Sequence, residues 1–219
     1  MTRRKLEHYK FSADAVNVIE AGKPFYTQIK GNWNNLYFKN EHPIVAELAC
    51  GKGEYTIGMG RQFPDKNFIG MDIKGDRIAR GSLIASEYGL TNVAFLRAGI
   101  QYSDEFFETN ELSEIWLIHP DPQVRERDEN KRLTNPAFLT QYAGSLKPRG
   151  MFYLKTDSTF LYEYTLETIQ ASEHFSLLEH TDDLYDSPLL DEHCGIKTHY
   201  ETIFIGKGYT IKYIKAIAV

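Results

Sequence analysis

The chain has 219 residues, of which 42% are hydrophobic, 13% aromatic and 25% charged, and its net charge is −5. This composition excludes an intrinsically disordered chain, and a chain of this length can enclose one full-sized hydrophobic core. No apolar run reaches the roughly 18 residues of a membrane span, and no Cys/His spacing matches a zinc site, so we expect a cytoplasmic protein without membrane or metal.

The N-terminal region is basic. Its first 39 residues hold seven Lys and Arg against three Asp and Glu, and they contain the irregular polar stretch KGNWNN. We predict an N-terminal basic extension over residues 1–40, followed by a single domain over residues 41–219. Basic segments of this kind are typical of contacts with a polyanion.

Strands and helices alternate through the predicted domain. Strands are predicted at IVAELAC, NFIGMDI, NVAFLRA, SEIWLIH and GMFYLKTD, and helices over residues 53–62, 74–88, 136–146 and 158–171. The last segment, ETIFIGKGYTIKYIKAIAV, predicts a β-hairpin around a glycine turn. The fold class predicted is therefore α/β, a doubly wound, mostly parallel Rossmann-like sheet with a C-terminal antiparallel hairpin.

A glycine-rich turn ends the first strand of this domain. It contains Glu47, Gly51 and Gly53, and Asp72 ends the next strand at the spacing of a carboxylate that binds a ribose diol. Dinucleotide and S-adenosylmethionine both remain open as ligands. S-adenosylmethionine is favoured, because Thr56 stands where a dinucleotide fingerprint has its third glycine and Glu47 suits a cationic amino acid tail. An unliganded scaffold of the same fold is the alternative.

A rigid acidic residue ends the fourth strand. Pro120 and Pro122 flank Asp121 and restrict it to extended conformations, and four basic residues follow within 11 positions: Arg125, Arg127, Lys131 and Arg132. The segment from Asp157 to Cys194 carries ten acidic residues and no Lys or Arg, so the rest of the chain has a net charge of +5. A polarised surface is therefore compatible with a nucleic-acid partner.

Four segments together resemble one enzyme family. They are ELACGKGEYTIGMGRQFPDKNFIGMDIK, PDPQVRERDENKRLTNPAFL, YLKTD and GIKTHYE, and the resemblance to the bacterial tRNA (guanine-N7)-methyltransferase family covers nearly all of residues 40 to 219. It implies a class I methyltransferase that uses S-adenosylmethionine and acts on tRNA, at the guanine of variable-loop position 46.

The resemblance also implies roles for individual residues. Glu47 and Asp72 would contact the cofactor, Asp121 would lie beside the reacting groups, and Arg125, where the family has Lys, would contact the RNA. The remaining cofactor positions are Gly51, Gly53, Gly99 and Asp121, and those of the target-base pocket are Asp157, Thr198, His199, Tyr200 and Glu201. The chain departs from the family at three positions. His119 stands where the family has an aromatic residue, Gln123 where it has Trp, and Gly99 where it has a polar or acidic residue.

The chemistry agrees with these residues. Guanine N7 carries a free lone pair, so its methylation requires no general base, and we assign Asp121 the role of stabilising the positive charge that develops on the ring. Asp157 and Glu201 are predicted to accept hydrogen bonds from guanine N1–H and the 2-amino group. Candidate contacts with RNA phosphates, besides Arg125, are Arg3, Arg4, Lys5, Arg127, Lys131 and Arg132.

Two other functions remain open. One is a methyltransferase that acts on an amino nitrogen of another base or of a small molecule, since an Asp-Pro pair after the fourth strand also occurs in such enzymes. The other is a non-catalytic RNA-binding relative whose cofactor pocket has decayed, because Gly99 and Gln123 depart from the family pattern. The oligomeric state, monomer or homodimer, is not predicted.

Overall fold

A computed structural model describes residues 15–219, which form two compact units that meet in the chain between Glu108 and Thr109. The predicted phosphate contacts Arg3, Arg4 and Lys5 lie outside the described residues. No helix within residues 15–219 combines the length and apolar character that a membrane crossing needs. The same residues contain no group of His, Cys, Asp and Glu arranged to hold a metal ion.

The first unit is a parallel sheet with two long helices. Its strands are β1 (Val18–Ile19), β2 (Ile44–Leu48), β3 (Asn67–Asp72) and β4 (Val93–Arg97), in the spatial order β1-β4-β3-β2. Helix α1 (Glu54–Gln62) follows β2, and α2 (Gly75–Glu87) follows β3. A π-helix at Trp33–Phe38 and a 3₁₀ helix at Ile100–Glu105 complete the unit. The strands predicted over residues 44–98 and both helices are confirmed.

Part of the predicted N-terminal extension packs into this first unit. Strand β1 pairs in parallel with β4, where Val18 lies opposite Phe95. Trp33 is fully buried and donates a hydrogen bond from its indole nitrogen to the carbonyl of Phe106 at 2.9 Å. Residues from Val18 onward therefore contribute to a hydrophobic core, a role that the polar stretch KGNWNN gave no reason to predict.

The second unit is a mixed sheet in the spatial order β5-β6-β8-β7. Strands β5 (Leu112–Ile118) and β6 (Leu146–Thr156) are parallel, and β8 (Lys212–Ala218) runs antiparallel to both β6 and β7 (Phe175–Thr181). Its helices are α3 (Pro136–Ser145), α4 (Thr159–Gln170) and α5 (His199–Gly206), with 3₁₀ turns at Glu126–Lys131, Leu184–Asp186 and Leu190–His193. The predicted fold class, mostly parallel with an antiparallel pair at the C-terminal end, is confirmed.

The prediction of a strand for the first arm of the hairpin is wrong. Residues that were assigned to a strand form helix α5, and the antiparallel partner of β8 at its outer edge is β7, which was not predicted. A capping box starts α5: the Thr198 hydroxyl accepts from the backbone N–H of Glu201, and the Glu201 carboxylate accepts from the backbone N–H of Thr198. This capping satisfies free N–H groups of the first turn and outweighs the strand preference of the β-branched and aromatic residues.

Candidate functional site

The turn after β2 is shaped by glycines. Gly51 and Gly53 have φ values of +58° and +66°, a region that side chains disfavour, and Gly53 begins α1. A Cβ atom on Gly53 would lie 2.4 Å from the Phe95 ring, and one on Gly81 of α2 would lie 2.5 Å from the carbonyl oxygen of Lys52. The turn is therefore enclosed by β4 and by α2, and the contribution of Gly81 was not predicted.

Asp72 holds this turn in place. One carboxylate oxygen accepts a hydrogen bond from the backbone N–H of Gly51 at 2.9 Å, and the other accepts from the N–H of Lys74 at 2.7 Å. Asp72 was predicted to contact the cofactor. Its two hydrogen bonds show that it also orders the turn, and a carboxylate oxygen has a second lone pair with which to accept from a ligand hydroxyl.

Glu47 is a buried carboxylate at the same end of the sheet. It is 3% exposed, and one of its oxygens accepts from both the backbone N–H of Thr56, at 2.7 Å, and the Thr56 hydroxyl. Burial raises the pKa of Glu47 to about 7, although the hydrogen bonds from Thr56 lower it. A cation bound beside this carboxylate would favour its ionised form. Thr56, at the position of the missing third glycine, therefore orients Glu47 through two hydrogen bonds.

Gly99 lies at the start of the 3₁₀ helix that follows β4. A Cβ atom at Gly99 would come within 2.7 Å of the side-chain oxygen of Gln101. The family has a polar or acidic side chain at this position, which a glycine lacks. The amide of Gln101 occupies the adjacent space. Gln101 was not among the predicted residues.

The segment after β5 presents Asp121 to solvent. Asp121 is exposed, and its carboxylate accepts a hydrogen bond from the backbone N–H of Gln123 at 3.1 Å. Gln123 has a φ of +47°, so the chain turns sharply behind the second proline. The register places Ile118 of β5 opposite Lys155 of β6, so Asp121 and Asp157 follow the carboxyl ends of neighbouring parallel strands.

The basic residues after Asp121 divide into two groups. Arg125, Arg127 and Lys131 are exposed, as phosphate contacts require. Arg132 is not available for the predicted phosphate contact, because its side chain is only 6% exposed. Its guanidinium donates to the carbonyl of Gln123 at 3.1 Å and to the carboxylate of Glu129 at 3.3 Å.

Two aromatic rings complete the surroundings of Arg132. The guanidinium carbon lies 4.7 Å from the ring centre of Phe160 and 4.6 Å from that of Tyr164. Both rings belong to α4. Arg132 therefore fastens the turn that carries Asp121 to this helix, through hydrogen bonds on one side and cation–π contacts on the other.

Five side chains form a cluster of hydrogen bonds and ion pairs around the buried Glu201 in the second unit, which we call the Glu201 cluster: His119, Lys155, Asp157, Tyr185 and Glu201. Glu201 Oε1 lies 2.8 Å from Lys155 Nζ and accepts from the Tyr185 hydroxyl at 2.6 Å. Glu201 Oε2 lies 3.7 Å from His119 Nε2, and His119 Nδ1 lies 3.2 Å from Asp157 Oδ1. The cluster links β5, β6 and α5.

The protonation states in the Glu201 cluster follow from these contacts. Burial opposes a charge on Glu201, but His119, Lys155 and Tyr185 outweigh it and lower the pKa of Glu201 to about 2. Burial also opposes a charge on His119, but Asp157 and Glu201 outweigh it and raise its pKa. The pKa of Asp157 is lowered despite burial, chiefly by the hydrogen bond with His119. Two carboxylates are thus kept ionised around one imidazole.

The predicted target-base residues are not equivalent. Asp157 has a side chain 23% exposed, and Tyr200 is 53% exposed. His199 is exposed in the first turn of α5, whereas Thr198 is buried as its cap. Glu201 is fully buried with both oxygens in contact with protein groups, so it does not fit the predicted contact with the base. It instead supports His119, Lys155 and Tyr185, whose roles the sequence did not indicate.

Comparisons with known proteins identify the family of the chain. A family model described as "Putative methyltransferase" matches residues 41–214. The tRNA (guanine-N(7)-)-methyltransferase of Bacteroides thetaiotaomicron is 45% identical over 98% of this chain and 86% of its own length. That of Christiangramia forsetii is 44% identical over 98% of this chain and 97% of its own.

A solved structure supports the fold alone. The 16S rRNA methyltransferase KamB is 14% identical, with a TM-score of 0.64 over 91% of this chain and 94% of that chain. The fold, the glycine turn with its two carboxylates, the segment around Asp121 and the identity with curated relatives lead to one assignment. This chain belongs to the tRNA (guanine-N7)-methyltransferase family.

Proposed function

We propose that the protein transfers a methyl group from S-adenosylmethionine to N7 of a guanine in tRNA, at variable-loop position 46, and that it does so in the cytoplasm. The names of relatives that are 44% and 45% identical over nearly the whole chain support the activity and the substrate. The observation that carries the proposal is the pair Asp121 and Asp157, which follow the carboxyl ends of two parallel strands.

The residues around the glycine turn fit the cofactor. S-adenosylmethionine, when bound, supplies a methyl group on a positively charged sulfur. Glu47 is a buried carboxylate that a cationic amino acid tail would ionise, and its hydrogen bonds with Thr56 hold it in one orientation. Asp72 keeps the backbone of Gly51 in place and can accept from a ribose hydroxyl. The glycines allow a ligand to approach the backbone closely.

Asp121 is the residue to which we assign catalysis. Methylation of N7 needs no proton removal, so positioning and charge carry the rate enhancement. Positive charge moves onto the guanine ring during the transfer, and a carboxylate fixed nearby stabilises it. The prolines on either side of Asp121 and the hydrogen bond from Gln123 restrict the carboxylate, so little reorganisation is needed when that charge develops.

Asp157 is the residue to which we assign recognition of guanine. Its carboxylate is ionised and partly exposed, and it can accept hydrogen bonds from N1–H and the 2-amino group. Adenine has neither donor in that arrangement, and its binding would leave without a partner the carboxylate oxygen that accepts from guanine. The exposed Arg125, Arg127 and Lys131 supply contacts to phosphates of the tRNA.

The target position is tested with two transcripts of one tRNA, which carry guanosine or adenosine at position 46. After reaction with S-adenosylmethionine, cleavage of the strand at 7-methylguanosine should map to position 46 in the first transcript and be absent in the second. Cleavage at another guanosine in both transcripts would refute the position but not the reaction.

The rival functions have their own tests. An amino-nitrogen methyltransferase would yield a methylated amino group, such as N6-methyladenosine, among the digested nucleosides. A non-catalytic RNA-binding relative would bind tRNA, yet calorimetry would detect no heat of binding for S-adenosylmethionine. The first result is not expected, because relatives that are 44% and 45% identical are named tRNA (guanine-N(7)-)-methyltransferase. The second is not expected, because Glu47 and Asp72 retain the carboxylates that a cationic nucleoside ligand needs.

A further inference from the structure

His119 lies between two carboxylates. It follows β5 directly with a φ of +47°, and its backbone N–H donates to the carbonyl of Lys155 at 2.8 Å. Its side chain is 6% exposed, with Nδ1 3.2 Å from Asp157 Oδ1 and Nε2 3.7 Å from Glu201 Oε2. The Phe204 ring lies 6.0 Å from the imidazole, centre to centre. The ring therefore contacts two acidic groups, one directly after β6 and one in α5.

This geometry favours the imidazolium form. Only a doubly protonated ring presents an N–H to both carboxylates, whereas either neutral tautomer directs a lone pair at one of them. Nε2 is buried and has no hydrogen-bond partner among the described residues, so its contact with Glu201 is one of charge. An Nε2 atom without its proton would direct a lone pair at the buried carboxylate of Glu201.

Other polar and charged groups also surround the ring. Lys155 and Lys212 oppose a positive charge on His119: Lys155 is paired with Glu201, and Lys212 donates to the carbonyl of Asp157 at 3.2 Å. Tyr185 is neutral and donates to Glu201. Burial opposes the charge as well, yet the two carboxylates outweigh all of these and raise the pKa of His119.

We propose that His119 is a positioning residue for guanine recognition, which holds Oδ1 of Asp157 so that Oδ2 is left to accept from the 2-amino group of the target base. The inference rests on the proposed function and adds a residue to it. The chain carries His119 where the family that it resembles has an aromatic residue. Discrimination by the 2-amino group should then depend on the charge of His119.

The test compares two tRNA transcripts that carry guanosine or inosine at the target position. Inosine retains N7 and N1–H and lacks only the 2-amino group. The variant is His119→Asn, because asparagine tolerates a positive φ and carries no charge. His174→Gln is the matched control, since His174 is exposed in the same unit. The ratio of kcat/KM for guanosine to that for inosine is measured against pH.

The wild type should prefer guanosine by about tenfold, the effect of one hydrogen bond to a charged group. The raised pKa means that the preference is present at low pH and is lost as the pH rises through the pKa of His119. His119→Asn should show a ratio near unity at every pH, with an unchanged KM for S-adenosylmethionine. His174→Gln should behave like the wild type.

A wild-type ratio and pH profile in folded His119→Asn would overturn the inference. If that variant does not fold, NMR titration of the wild type and of Asp157→Asn decides: the pKa of His119 should fall in Asp157→Asn, and an unchanged pKa would overturn the inference. Failure of the proposed function is distinguishable, because the wild type would then form no 7-methylguanosine on the guanosine transcript.

Discussion

Lys155 donates from Nζ to Oε1 of Glu201 at 2.8 Å, and both side chains are fully buried. A buried ion pair stabilises a fold only if further hydrogen bonds offset the loss of hydration of the two charges. Here the Tyr185 hydroxyl donates to the same oxygen, and the carbonyl of Ile196 accepts from Lys155 at 3.2 Å. The pair therefore attaches α5 to β6 and sets the surroundings of His119 and Asp157.

We expect Glu201→Gln to destabilise the protein at neutral pH. The variant leaves the Lys155 charge buried without its partner, which costs about 3–5 kcal/mol in similar cases. The pKa of Glu201 is lowered from 4.5 to about 2, so its contribution to the free energy of unfolding is complete above pH 4.5 and is lost as the pH falls toward 2. Urea titrations of wild type and variant at several pH values measure the difference.

The control for this experiment is Glu163→Gln, at an exposed position of α4. It should change the free energy of unfolding little at any pH, as surface substitutions usually do. A Glu201→Gln variant as stable as this control at neutral pH would show that the buried pair does not stabilise the second unit.

We expect the affinity for S-adenosylmethionine to rise with pH and to level off above about pH 7, where free Glu47 is already ionised. The free protein carries a proton on Glu47 below that pH, and a cationic ligand favours the carboxylate, so binding in the acidic range should release a proton. Calorimetry in buffers of different ionisation enthalpy measures this release. Glu47→Gln should bind more weakly and release none.

Asp65→Asn is the control for Glu47, because Asp65 is exposed in the same unit. It should retain both the affinity and the proton release of the wild type. Wild-type affinity that does not vary with pH would contradict the assignment of Glu47 to the cationic part of the cofactor.

We expect Asp121→Asn to lower kcat about 100-fold, the usual scale for removing one electrostatic contact to the transition state. The asparagine oxygen can still accept from the N–H of Gln123, so the turn should keep its shape and the melting temperature should not change. Methyl incorporation into tRNA at saturating substrates measures kcat. The control is Glu126→Gln, an exposed change in the same segment, which should leave kcat unaltered. Equal kcat values in the two variants would contradict the catalytic role assigned to Asp121.

We expect substitution of Arg132 to lower the stability of the protein and substitution of Arg127 to weaken its binding of tRNA. Arg132→Lys loses the planar guanidinium between Phe160 and Tyr164, which should cost about 1–2 kcal/mol and lower the melting temperature by several degrees. Arg127→Gln, at a side chain 75% exposed, should leave the melting temperature unchanged.

Binding of tRNA as a function of salt separates the two arginines further. Arg127→Gln should weaken binding and reduce the slope of log K against log salt by about 1, as the loss of one phosphate contact does. Arg132→Lys should leave that slope unaltered. A reduced slope in Arg132→Lys with no loss of stability would restore the phosphate role predicted for Arg132.

Local patterns were sufficient for much of the fold and for the cofactor side. Apolar runs that end in glycine or aspartate predicted β2, β3 and β4, and the spacing of Glu47, the glycines and Asp72 identified the turn. These features depend on neighbours in sequence and on the geometry of a strand that leads into a helix. The same reasoning cannot distinguish Arg127 from Arg132, since only contacts with α4 bury one of them.

Long-range contacts explain what the sequence did not indicate. Glu201 became a buried ion-pair partner because α5 packs against β6, whereas its motif favoured a contact with the base. The β-branched and aromatic residues of the segment that contains it favour a strand, whereas the capping box at Thr198 starts a helix. His119 stood out only as a departure from the family pattern. Its two carboxylate neighbours are 38 and 82 residues away in sequence.

The most direct test of the central claim is analysis of nucleosides by mass spectrometry after reaction of unmodified tRNA with the purified protein and S-adenosylmethionine. We predict 7-methylguanosine as the methylated product, at up to one per tRNA, and none without protein. A methylated amino group in its place, or no methylated nucleoside although both substrates bind, would contradict the proposed function.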